Sequence, residues 1–230
     1  MYQTLINLMP PHDVYVEPFL GAAAIMRMKR PAAANIGIDL DPAMVDRASL
    51  EFTRGSAHGS NCYGAPRFEF FATDAVKYLL SQTFPPSALV YADPPYLRST
   101  RATRRDFYKF EMTDAQHLEL LSVLKALPCN VMISGYSSSL YAKELKGWHA
   151  TAFQAATRGK PAAEWVWCNY PRPVELHDYR FLGDDFRERE QIKRMKKRWV
   201  AKLEKMEPVK RQALLAAISA TSRTGDTAAH

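Results

Sequence analysis

The chain is poor in several things that would announce a function. Its 230 residues include three cysteines, Cys62, Cys129 and Cys168, far apart and in no pairing pattern. That argues against a disulfide framework and a cysteine-based zinc site. The six histidines show no ligand spacing, so no metal is expected. No run of 18 apolar residues exists, so no membrane-spanning helix is expected. Leu5 to Pro11 is too short, and lacks the basic flank, for a secretion signal. Internal repeats and low-complexity tracts are absent. The dinucleotide fingerprint G-x-G-x-x-G is missing as well: after the first apolar strand only Gly21 is present, followed by alanines.

What remains is a chain with 47% hydrophobic residues, enough to pack one sizeable α/β domain plus an appendage. The formal charge is +7, which suits a polyanionic partner such as nucleic acid. The excess is concentrated: Asp184 to Arg211 holds 11 Lys/Arg against 6 Asp/Glu. Lys193 to Arg198, with Lys196 and Arg198, reads either as phosphate-binding or as a charged helix face.

The pattern along the chain is strand, turn, helix. Val14–Pro18 reads as a strand, Ala22–Lys29 as a helix stopped by Pro31, and Asn35–Leu40 as a second strand ending in Asp39. Asp41 caps a helix running to about Phe52. Gly55–Pro66 reads as an exposed loop. Arg67–Ala72 is a third strand, and Asp74 caps a helix to about Gln82. Ala88–Ala92, a short apolar run ending at Asp93-Pro94-Pro95-Tyr96, reads as a buried parallel strand. Thr113 caps a helix with Leu118, Leu121, Val123, Leu124 and Leu127 on one side. Asn130–Ser134 is a fifth strand, Ser139–Lys146 a short helix, and His149–Ala155 with Glu164–Asn169 an antiparallel hairpin. Asp184–Lys205 and Pro208–Ser219 read as helices, and Thr221–His230 as a disordered tail. The expected organisation is therefore a catalytic domain over 1–180, a basic helical extension over 184–220 and a tail over 221–230.

The acids mark a site, because ligands of open α/β sheets sit outside the carboxyl ends of the strands. Glu17 would repel a pyrophosphate and suits a cationic group such as an amino acid ammonium. Asp39 stands where a ribose-binding acid belongs. Asp74 is placed to accept from an adenine amine; both it and Asp39 are also plausible helix caps. Ammonium, ribose and adenine together describe S-adenosylmethionine. At Asp93 the two prolines forbid helix and ladder alike, so an acid, a fixed carbonyl and an aromatic ring meet at a strand end.

Tyr15-Val16-Glu17-Pro18-Phe19-Leu20-Gly21 resembles the cofactor motif of the Dam-type adenine-N6 DNA methyltransferases, and Asp93-Pro94-Pro95-Tyr96 resembles their catalytic motif. Val131–Tyr136 and Glu164–Asn169 also look like the family. The resemblance covers roughly residues 2–170. It implies a Rossmann-like, S-adenosylmethionine-dependent α/β fold, with a mostly parallel sheet, a C-terminal antiparallel hairpin and a C-terminal helical extension. It implies Glu17, Pro18, Phe19, Gly21, Asp39 and Asp74 as cofactor residues, and Asp93, Pro94, Pro95 and Tyr96 as catalytic ones. Asp93 and the Pro94 carbonyl would accept the two N6 hydrogens, while Tyr96 stacks on a flipped-out adenine. Phe19 would line the opposite wall, or simply be core. Arg98, Arg101, Arg104, Arg105 and Tyr108 would contact DNA. The partner it implies is DNA, not a membrane, and the expected setting is the cytoplasm of a prokaryotic cell or a phage or mobile element.

Three departures qualify the resemblance. Only 53 residues separate Asp39 from Asp93, leaving no room for a recognition insertion, so specificity falls to Gly55–Pro66, Arg98–Phe110, Thr157–Pro161 or the C-terminal helices. The family's Gly-Gly-Lys segment before the first strand is absent; the chain starts at Met1-Tyr2-Gln3. Gly21-Ala22-Ala23 replaces a more Gly-rich turn, which alanine tolerates if φ is negative there. Two alternatives stay open: an RNA adenine-N6 methyltransferase, and a catalytically weak DNA-binding relative. His117, Trp165, Trp167 and the cysteines read as structural.

Overall fold

The apolar run Ala88–Ala92 becomes β4, buried along its whole length, as a central parallel strand must be. The computed structural model describes residues 2–56, 64–100, 109–155 and 162–224. Before β4 come α1 (Tyr2–Ile6), β1 (Val14–Glu17), α2 (Ala24–Met28), β2 (Ala34–Asp39), α3 (Pro42–Ser56), β3 (Arg67–Ala72) and α4 (Ala75–Ser81). After it come α5 (Asp114–Ala126), β5 (Asn130–Gly135), α6 (Ser139–Glu144), β6 (His149–Ala155) and β7 (Ala162–Cys168). The seven strands form one sheet in the order β3-β2-β1-β4-β5-β7-β6. β1 to β5 are parallel; β7 runs antiparallel to both β5 and β6. The order reverses beside β1 and β4, the place where doubly wound sheets open a crevice.

Side chains alternate across the sheet, giving two cores. Val16, Val90, Ala92, Val131 and Ile133 pack on one face with Leu120, Leu121 and Leu124 of α5. Tyr15, Leu89, Tyr91, Met132 and Val166 pack on the other with Leu5, Ile25 and Met26. Burying each large apolar side chain is worth about 1.5–3 kcal/mol, so this alternation fixes the register. The helix after Thr113 forms with a capping box between Thr113 and Gln116. Its buried stripe differs from the expected one: His117, Leu120, Leu121 and Leu124 face inward, and Leu118 is 44% exposed. His117 occupies that inward place because Nδ1 lies 3.0 Å from the Tyr141 hydroxyl.

The helix α1 has no counterpart in the sequence reading. At five residues it carries little periodicity, and its support comes from far along the chain. Asn7 Nδ2 donates to the Phe181 carbonyl, the Tyr170 hydroxyl to the Leu8 carbonyl, and the His177 amide to the Met9 carbonyl. His12 stacks on His177 with centroids 3.7 Å apart. Asp178 then pairs with Arg180 at 2.6 Å and accepts from the Arg30 amide.

Both stacked histidines are held neutral. Burial foremost, then the nearby Lys29 charge, pushes His12 from 6.5 to about 2 and His177 to about 4. The unfolded chain protonates them near 6.5, so between pH 6.5 and 4 it binds more protons than the folded one. Stability therefore falls as pH drops through that window, by about 1.4 kcal/mol per pH unit for each histidine. We expect denaturant midpoints measured from pH 7 to 4.5 to fall more steeply for the wild type than for His177→Gln. Equal slopes would contradict this account of the stack.

The chain divides into two compact units, Met1–Phe181 and Leu182–His230. The second holds α7 (Phe186–Glu204), capped by Asp185, which accepts from the Glu188 amide, and α8 (Pro208–Thr224). The second helix runs past the expected end at Ser219, and residues 221–224 of the expected tail are helical; 225–230 lie outside the described residues. α7 has no buried residue, and Trp199 on it is 53% exposed. No described helix is long and apolar enough to cross a membrane.

Candidate active site at the β1 and β4 strand ends

The turn after β1 is built around Asp39. Its Oδ2 accepts from the Gly21 amide at 2.7 Å, and its Oδ1 from the Asp41 amide at 2.8 Å. One carboxylate thus ties the β1 turn to the start of α3. Gly21 adopts φ +49°, and a Cβ there would meet nothing within 4 Å. The turn surface beside it is open to a ligand, and the backbone shape needs glycine.

Ala23 corrects the sequence reading. It adopts φ +54°, in the left-handed region, not the negative φ under which alanine would be at ease. It is nearly fully buried, and its amide donates to the Leu20 carbonyl at 2.7 Å. The turn is held from both sides, so the chain tolerates a Cβ where it costs about 1–2 kcal/mol. The helix starts only at Ala24, two residues later than expected, because Gly21 and Ala23 are both left-handed. Glycine at 23 relieves the strain but gives the unfolded chain more freedom. Ala23→Gly is therefore expected to stabilise by about 0.5–1 kcal/mol, read as a higher denaturant midpoint. A lower midpoint would show the strain to be absent.

Glu17 is 3% exposed. Its Oε2 accepts from the Tyr15 hydroxyl at 3.0 Å and the Met26 amide at 3.1 Å. Burial, with the Asp93 charge adding to it, pushes its pKa up to about 8. The neighbouring Lys29 is also buried, with Nζ 4.1 Å from the Tyr15 ring centroid, and burial lowers its pKa to about 7. Pro18 is buried beside it, and Phe19 is partly buried against the core around Val16. Asp74 caps α4, accepting from the Lys77 amide at 2.9 Å.

Asp93 leaves the end of β4 and is partly buried. Ser134 on β5 donates to its Oδ1 at 2.6 Å, and the Ser134 Oγ lies 3.1 Å from the Tyr91 hydroxyl. Burial raises the Asp93 pKa, while Ser134 and the Tyr96 hydroxyl moderate it. The Tyr96 ring meets Tyr136 edge-on, with centroids 4.6 Å apart. Its hydroxyl also bonds the Glu164 carboxyl on β7. Lys109 Nζ pairs with Asp41 at 3.0 Å.

The structure thus brings Glu17, Pro18, Phe19, Gly21 and Asp39 together around the β1 turn, and Asp93, Pro94, Pro95 and Tyr96 at the neighbouring strand end. Asp74 stands at the end of β3, where its Oδ1 serves the helix. Arg98 lies exposed in a short 3-10 turn, and Lys196 and Arg198 lie exposed on α7. Arg101, Arg104, Arg105 and Tyr108 lie outside the described residues, as do Thr157–Pro161 and residues 57–63 of the expected loop. Sequence reasoning gave no role to Ser134, Tyr136 or Glu164, although both stretches that hold them carried the resemblance. Register was the missing signal: Ala92 pairs with Ile133, so the next residues, Asp93 and Ser134, fall side by side. Among the described residues no group of three or more acids, histidines and cysteines could hold a metal ion.

Solved structures share this architecture. The N-methyltransferase NodS from Bradyrhizobium japonicum WM9 aligns with TM-score 0.50 at 12% identity, over 73% of this chain and 93% of that one. An rRNA methylase from Streptococcus thermophilus gives 0.48 at 11%, over 73% and 93%. A magnesium protoporphyrin IX methyltransferase from Synechocystis gives 0.47 at 12%, over 74% and 75%. No curated protein matches the chain. The fold is the Rossmann-like one of the methyltransferases, with a seven-stranded, mostly parallel sheet and added C-terminal helices. Residues 67–155, the stretch from β3 to β6 that includes Asp93–Tyr96, match the model of the D12 class N6 adenine-specific DNA methyltransferase family.

Proposed function

We propose that the protein transfers a methyl group from S-adenosylmethionine to the N6 amine of an adenine flipped out of duplex DNA. The observation that carries the reading is the strand-end corner. A carboxylate, a proline-fixed carbonyl and an aromatic ring lie there beside an open glycine turn. The residues fit the cofactor. The turn at Gly21 leaves room for a ligand against the backbone. Asp39 is partly exposed and, with two lone pairs on each oxygen, still accepts from ribose hydroxyls while holding Gly21 and Asp41. Glu17, with Pro18 and Phe19 around it, provides the acid for an ammonium group; burial keeps it largely protonated near neutral pH, and a cation bound beside it favours the carboxylate form. When bound, S-adenosylmethionine supplies the methyl group.

The chain's own part is positioning and electrostatics. An adenine amine is a weak nucleophile because its lone pair is delocalised into the ring. Asp93 and the Pro94 carbonyl accept its two hydrogens and draw the nitrogen toward tetrahedral geometry. That frees the lone pair. Ser134 fixes the Asp93 carboxylate through Oδ1. Pro95 stiffens the corner, and Tyr96 covers the face of the base. Once the nitrogen has become cationic it releases a proton readily, and the raised pKa of Asp93 makes that carboxylate a suitable acceptor.

The DNA reading is supported by the matched family and by the +7 charge. We assign phosphate contacts to Arg98, Arg101, Arg104, Arg105 and Tyr108 and, on α7, to Lys196 and Arg198. The site belongs to the cytoplasm, where the cofactor and the DNA of a prokaryote or phage meet. With no recognition insertion, the target sequence is short or relaxed. Methyl transfer from tritiated cofactor, offered duplex DNA and structured RNA in parallel, tests this: label enters the DNA. Label entering RNA alone would make the enzyme an RNA adenine methyltransferase. Methylation confined to a strict motif of six or more bases would contradict the relaxed target.

A further inference from the structure

One buried acid at the corner has no task in this scheme. Glu164 lies on β7 opposite Phe153 and is 6% exposed. Val166, two residues on, lies opposite Ser134, so Glu164 points to the same sheet face as Ser134, on the side of β4 away from β1. In the sheet order β7 stands three places from β1, whose end carries the Gly21 turn. The Tyr96 hydroxyl bonds one part of the Glu164 carboxyl. Its Oε2 is buried and has no hydrogen-bond partner among the described residues. A buried polar atom left unpaired is costly, and one beside a reacting carboxylate points to a ligand.

We propose that Glu164 reads the edge of the target base, donating a hydrogen bond from its carboxyl to the ring nitrogen that flanks the reacting amine. The inference rests on the adenine reading above. With Asp93 and Pro94 engaging both N6 hydrogens, the polar atoms left on that edge of adenine are the acceptors N1 and N7, so the partner must be a donor. The Glu164 carboxyl supplies that donor in its neutral form; burial first, and then the Asp93 charge, raise its pKa, while the Tyr96 hydroxyl acts to lower it. A ring that places an N–H or a C–H at this point leaves the donor clashing or unpaired, and such mismatches discriminate strongly.

The test compares kcat/KM on duplexes carrying adenine, 1-deazaadenine or 7-deazaadenine at the mapped target position. The wild type loses at least tenfold on one of the two analogues. Glu164→Leu loses a similar factor on adenine itself and then no longer distinguishes that analogue. Glu164→Gln, whose amide still donates, recovers most of the rate and keeps the discrimination; it also serves if the leucine variant does not fold. A slow leucine variant that still discriminates like the wild type would show that Glu164 only steadies Tyr96, and would overturn the proposal. A wild type that methylates adenine and both analogues equally well would overturn it too, leaving the adenine reading intact. No methylation of adenine in any DNA would overturn both.

Discussion

Asp93→Ala loses methyl transfer by about 100-fold or more while the protein stays folded and still binds S-adenosylmethionine. The size follows from what the carboxylate does. Removing one preorganised hydrogen-bond partner of a developing charge costs about 10²–10³ in turnover, and here the same group also fixes the nitrogen geometry. The fold survives because Asp93 stabilises little: burial raises its pKa, so its charged form is disfavoured where it sits. Ser134 loses its 2.6 Å acceptor, but its Oγ still lies 3.1 Å from the Tyr91 hydroxyl and 3.4 Å from the Ala92 carbonyl. Turnover and calorimetric cofactor affinity, measured on one preparation, separate chemistry from binding. Near wild-type turnover would remove the assignment of the corner. The same carboxylate sets a pH limit. Activity needs it ionised, so turnover falls as pH drops through its raised pKa, above the 3.8 of an ordinary aspartate.

Asp39→Ala is the second large effect, and it falls on the cofactor. Two backbone amides, those of Gly21 and Asp41, lose a charged acceptor together. Hydrogen bonds to a charged group are each worth about 1.5–3 kcal/mol, which is about 10–100-fold per bond in affinity when the bond shapes the ligand's seat. We expect S-adenosylmethionine binding to weaken at least tenfold, with Asp39→Asn intermediate because its amide oxygen still accepts from one of the two amides. Unchanged affinity in Asp39→Ala would mean that the turn is not the cofactor's seat.

Much of this was legible from the residues, and the reason differs from place to place. β4 announced itself because a five-residue apolar run closed by Asp-Pro-Pro has few other conformations open to it. Asp39 was legible by position as a strand-end acid, but its grip on Gly21 was not, since that bond joins residues 18 apart through a turn shape no pattern prints. Ala23 was misread for a related reason: alanine normally avoids positive φ, and only the amide donating to Leu20 and the packing around it hold it there. Leu118 was misplaced by one helical step because His117, a polar residue, takes a core position by bonding Tyr141. The helix α1 escaped because its partners lie more than 160 residues away. Ser134 and Glu164 needed the pairing of β4, β5 and β7, which is a property of the sheet and not of any one stretch.

The most direct measurement is mass spectrometry of nucleosides from duplex DNA incubated with the protein and S-adenosylmethionine. The corner at Asp93 predicts that N6-methyl-2′-deoxyadenosine accumulates with time and vanishes with Asp93→Ala. Absence of that nucleoside, from protein shown by calorimetry to bind the cofactor, would contradict it.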